Sequence, residues 1–81
     1  MFTNTMLAEE VIKQQFLVVE RLEKTLSQVK EHVSEDEYRD YRLQIGKVIF
    51  EIWENIINPL FEQHPTLDRE NLTAQVANSN I

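Results

Sequence analysis

Cysteine is absent from the 81 residues, glycine occurs once and proline twice. Without thiols there are no disulfides and no thiolate metal ligands, two devices by which small domains supplement a thin core. A chain of this length buries only about 60% of the surface it exposes when unfolded. The supplement to expect is therefore a partner chain. The scarcity of glycine and proline removes the punctuation of strands and tight turns and favours long helices. Positive charge is also short: eight basic side chains against fourteen acidic ones leave a net charge of −6. Nucleic-acid binding depends on neutralising phosphates with Lys and Arg, so this balance argues against it, and against anionic membrane surfaces as well. No run approaches the roughly 20 apolar residues that span a bilayer. The opening Met1-Phe2-Thr3-Asn4-Thr5-Met6 lacks the basic region and apolar stretch of a secretory leader, and a cytoplasmic location is expected.

What is present reads as helix. The first is expected from Thr3 or Thr5, either of which can cap it, to about Val33. Leu7, Val11, Ile12, Phe16, Val18, Val19, Leu22, Leu26, Val29 and Val33 share one broad arc, with Glu9, Lys13, Glu20, Lys24 and Glu31 opposite and Leu17 outside it. Ser34 followed by Glu37 is the signature of a capping box, and Val33 with Tyr38 occupies the positions of a hydrophobic staple. Glu35, Asp36 and Glu37 place negative charge where the helix dipole favours it. A connection this short makes its two helices antiparallel neighbours. The second helix is expected from about Glu35 to Ile57, where Asn58-Pro59 either kinks it or starts a new short turn. His64-Pro65 is a second stop. A short helix from Asp68 to Val76 comes next, capped by Asp68 and stapled by Leu67 and Leu72, with residues 78–81 as a frayed tail. The expected domain is a single helical hairpin over residues 1–77.

Signals for chemistry are few. A di-metal carboxylate site on a bundle needs Glu and His three residues apart, and no Glu here has a His at that spacing. His32 suits the C-terminal end of the first helix, where positive charge is favourable. His64 reads as a helix-ending residue. Neither suggests a metal ligand, and no cofactor is expected. Ser34 already serves as a cap, and the single glycine, Gly46, lies inside a helix rather than in a phosphate-binding loop. The chain is expected not to be an enzyme. The most distinctive polar group is Tyr38, Tyr41 and Arg42, where two phenols and a guanidinium could recognise a carboxylate or phosphate. Alternatively the tyrosine rings fill the apolar seam with their hydroxyls at its edge.

The second helix carries two apolar stripes. One is Tyr38, Tyr41, Ile45, Val48, Ile52, Ile56 and Leu60. The other is Leu43, Gly46, Phe50, Trp53, Ile57 and Phe61. A helix apolar nearly all round is a buried one, and a lone neighbour can cover only one stripe. The expectation is an all-α protein of two long antiparallel helices plus a short third, paired as a homodimeric four-helix bundle through Leu43, Gly46, Phe50, Trp53, Ile57 and Phe61. Docking of the same stripe on a different protein is the related alternative. A small-molecule or anion binder at Tyr38, Tyr41 and Arg42 is the competing one.

Overall fold

A computed structural model describes the backbone of residues 1–79 and the side chains of residues 1–75; it is helical throughout, with no strand among the described residues. Helix α1 spans Thr5–Lys30. Its cap is Asn4, whose side chain accepts from the amide of Leu7 at 3.0 Å, rather than Thr3 or Thr5. The helix closes three residues short of Val33. The buried face is Ala8, Ile12, Phe16 and Val19, a spacing of threes and fours that forms one stripe. Leu7 and Val18, expected on that face, lie at its edge and are largely exposed, whereas Leu17, expected outside it, packs against the core. The buried arc is therefore narrower on one side, and wider on the other, than the periodicity alone implies.

The break after Lys30 is built as the sequence specifies. The Glu37 amide donates to Ser34 Oγ at 3.2 Å, and the Ser34 amide donates to Glu37 Oε1 at 3.0 Å, completing the capping box. These hydrogen bonds hold the Glu37 carboxyl below the usual carboxylate range. Helix α2, Glu35–Ile52, comes next and packs against α1 with the two running in opposite directions. Thr25 meets Tyr41, Phe16 meets Trp53, and Thr5 meets His64.

Pro59 does not end this helix. An α-helical ladder would ask Pro59 for an amide hydrogen it lacks and would press its ring on the carbonyl four residues back. The turn ahead of it is widened instead. Trp53–Ile57 is a π-helical turn in which the Asn58 amide reaches back five residues to the Trp53 carbonyl. Helix α3, Asn58–Gln63, continues directly from it, and Asn58 has helical angles rather than those of a cap. One extra residue in a turn rotates the succeeding segment by about 100°, and beyond it Leu60 and Phe61 are buried beside Ile57.

Helix α4, Arg69–Ser79, runs past its expected end at Val76; residues 80 and 81 of the expected tail lie outside the described residues. Asp68 caps it, with Oδ1 accepting from the Asn71 amide at 3.1 Å. The helix packs on α1 and contributes Leu72 to the core. The core is thus concentrated at one end: Ala8, Ile12 and Phe16 from α1, Ile57, Leu60 and Phe61 around the π turn, and Leu72. Aromatic rings fill its middle, with Phe16 5.6 Å from Trp53 and 6.4 Å from Phe61 between centroids.

Candidate functional site

The apolar stripe expected to be uncovered divides into two parts. Its C-terminal part is already occupied. Ile57 has no solvent exposure, Phe61 is buried beneath the Arg69 guanidinium at 4.5 Å, and Trp53 is half-buried against Phe16. Thr73 of α4 borders the recess beside Trp53. These three residues serve the chain's own core, a placement that corrects the picture of one continuous bare stripe. The reason is the π turn, which wheels the segment inward, together with α4, which closes over α1.

The N-terminal part remains open. Leu43 is 58% exposed and Phe50 is 64% exposed. Between them Gly46 faces solvent, and a methyl group placed on it would meet nothing within 4 Å. These residues line a shallow recess of ≈ 560 Å³ with Arg42, Lys47 and Glu51 at its edges. Val48, from the other stripe, is also exposed. Within the single chain this half of α2 is therefore covered on one side and open on the other. Along it the buried residue is Ile45.

The polar group at the helix break is also divided. Tyr41 is turned toward α1. Thr25 Oγ1 donates to the Leu22 carbonyl at 2.6 Å, so its oxygen accepts from the Tyr41 hydroxyl at 2.7 Å and the phenol proton is committed. Tyr38 and Arg42 lie together on another side. The Arg42 guanidinium is 5.9 Å from the Tyr38 ring centroid and the Lys30 ammonium 5.8 Å from it. Arg39 pairs with Glu35 at 3.7 Å and Asp36 at 3.8 Å. A recess of ≈ 470 Å³ is bounded here by Lys30, Ser34, Glu35, Tyr38, Arg39 and Arg42, and Tyr41 does not line it.

His64 is the residue whose role sequence reasoning understates. It ends α3 as expected but is only 4% exposed. Its Nε2 lies 2.9 Å from the Phe2 carbonyl, an acceptor, so that nitrogen carries a proton. In the neutral ring Nδ1 then accepts from the Thr5 hydroxyl at 3.0 Å. Both ring nitrogens are thereby spent on joining the two ends of the chain's sequence, and no local spacing announces it. Among the described residues no group of three His, Asp or Glu side chains is placed to hold a metal ion, and no helix is long and apolar enough to cross a membrane.

No family model, no curated protein and no solved structure matches the chain. What it does must therefore be read from its own surfaces.

Proposed function

We propose that the chain is a non-enzymatic, cytoplasmic interaction module, a helical hairpin that completes a four-helix bundle by pairing with a second copy of itself. One observation carries this reading. Phe50 and Leu43 stand mostly exposed on α2, on either side of a glycine that leaves the helix backbone bare. Two large apolar side chains adjacent on one helix face are costly to leave in water, and contiguous apolar surface of this kind marks association. The thin core at this end and the absence of thiols support the same conclusion. A non-enzymatic role is supported by the commitment of Ser34 to a cap and of His64 to two structural hydrogen bonds.

Light scattering at high micromolar concentration should give twice the chain mass. Phe50→Glu should give a folded monomer, because Phe50 lies outside the core and its replacement removes only the association. Ile57→Glu, by contrast, should unfold the chain. Wild-type protein that stays monomeric across that range refutes the pairing.

A second reading rests on the recess at the helix break, where Lys30, Arg39 and Arg42 bring three cations near Tyr38. It would suit a small carboxylate or phosphate. Glu35 and Asp36 already draw on Arg39, which weakens the case. Phosphate at millimolar concentration should shift the amide resonances of residues 34–42; unmoved resonances dispose of this reading.

A further inference from the structure

We infer that two copies pair antiparallel along the open face of α2, crossing beside Gly46, between it and Lys47, with Arg39 of each copy against Glu54 of the other. This deepens the self-association proposed above and rests on it.

The face reads Arg39-x-x-Arg42-Leu43-x-x-Gly46-Lys47-x-x-Phe50-Glu51-x-x-Glu54. Read backwards, the outer residues keep their class and spacing and reverse their sign. Two cations and an apolar residue precede the central pair Gly46-Lys47; an apolar residue and two anions come after it, and Lys47 is the one charge that the inversion leaves without an opposite. Such a segment complements itself only when the second copy runs the other way. Leu43 then meets Phe50 of the partner on each side of the crossing, and Arg39 comes level with Glu54. In a parallel pairing each residue would face its own kind, cation on cation and carboxylate on carboxylate. A helix from an unrelated protein would require no inverted order at all, and this is why the observation selects a second copy.

Geometry agrees. At about 100° per residue, Arg39, Leu43, Gly46, Phe50 and Glu54 lie within an arc of about 80°, a strip one neighbouring helix can touch along its length. From Arg39 to Glu54 the strip is about 22 Å long. All five residues are exposed, and the space over Gly46 is empty in the single chain. A helix can approach closest where a side chain is missing. The charges are free to take part. Among the described residues no ion pair engages Lys47, Glu51 or Glu54, and the two Arg39 pairs are long and solvent-exposed. Arg42 and Glu51 fall on opposite edges of the strip, so they act through the field of each half rather than by contact.

The absence of cysteine makes the test clean. A Lys47→Cys chain, oxidised at a concentration where the wild type is dimeric, should form a disulfide-linked dimer, because the two positions 47 lie within one residue of the two-fold axis and Gly46 is left in place. A Lys24→Cys chain, changed on the exposed side of α1, should not. Arg39→Glu and Glu54→Arg should each weaken the dimer about tenfold or more. The chain carrying both changes should return close to wild-type affinity, with the opposite pairing of signs. Cross-linking at position 47 together with that rescue supports the register. A dimer that neither cross-links there nor is rescued overturns the register and leaves self-association standing. A wild type that remains monomeric by light scattering overturns both.

Discussion

The two ends of the molecule are made from the same kinds of residue and differ in how many helices meet. At the end holding the π turn, α1, α3 and α4 converge, and seven core residues from three helices and the π turn enclose one another. At the helix break, among the described residues, only α1 and α2 face each other. Toward it, beyond that cluster, the buried apolar side chains are Val19, beside the Trp53 recess, and then Ile45, and the polar contact between Thr25 and Tyr41 takes the place of a third layer. Apolar composition alone does not make a core. A helix with two apolar stripes needs two neighbours, and among the described residues α2 packs against α1 alone; the second stripe is buried only beyond α2, at Ile57 and Phe61.

The largest effect that could break this comparison is truncation on either side of it. Ile57→Ala should destabilise the chain by about 2–5 kcal/mol, the range for deleting a fully buried aliphatic side chain. Leu43→Ala, measured by urea unfolding at a concentration where the chain is monomeric, should change stability by less than about 0.5 kcal/mol. Similar losses at both positions would mean that the open end is packed as tightly as the closed one.

The next effect concerns what fastens the closed end. His64→Ala removes the hydrogen bonds to the Thr5 hydroxyl and the Phe2 carbonyl, both partly buried, and a hydrogen bond of this kind contributes about 0.5–1.5 kcal/mol. Amide exchange in residues 5–8 should accelerate, since the start of α1 is held to the end of α3 through this ring. Unchanged exchange there would show that apolar contacts alone secure the N-terminal segment.

At the open end the capping box should matter less. Ser34→Ala should cost about 1 kcal/mol. The Glu37 carboxyl has its pKa lowered by bonds from Ser34, so its contribution is fully present above the ordinary carboxylate value of 4.5 and fades as pH falls through the lowered folded value. Glu37→Gln should therefore flatten part of the loss of stability on acidification below about pH 4.5. A melting temperature that falls with acid as steeply in the variant as in the wild type would remove Glu37 from the account.

The helix break is fully legible in the sequence, because a capping box is a local code: Ser34 and Glu37 need only each other and three residues of spacing. The cap at Asp68 is legible for the same reason. Pro59 is visible as a disturbance, but its outcome is not. Whether a helix breaks, kinks or widens at proline depends on what the next turn can bury, and here that depends on Ala8, Ile12 and Leu72, far away in sequence. The Tyr38, Tyr41 and Arg42 group is legible in composition and misleading in geometry. Tyr41 belongs to the face that meets Thr25, while Tyr38 and Arg42 share the other. His64 is the residue least visible, since its two partners lie at the opposite end of the chain. Along the stripe expected to form an interface, Leu43, Gly46 and Phe50 stand on open surface. Trp53, Ile57 and Phe61 turn to the core instead, because periodicity within α2 carries no record of the π turn or of where α4 packs.

The smallest effect is the most informative about the open face, because its sign rather than its size decides. Glycine within an exposed helix costs about 0.8–1.0 kcal/mol relative to alanine, through backbone entropy. Nothing in the single chain resists the added methyl group of Gly46→Ala: it would meet no atom within 4 Å. Unfolding at dilute, monomeric concentration should therefore show the variant to be more stable than the wild type by up to about 1 kcal/mol. If a second copy crosses beside this position, the same methyl group occupies the space that lets the helices approach, and close-packed contacts do not absorb an extra carbon without displacement. The dimer dissociation constant should then rise even as the monomer gains stability. Opposite signs in the two measurements place the crossing beside Gly46. A variant that is more stable as a monomer and unchanged in dimer affinity would move the crossing elsewhere on α2.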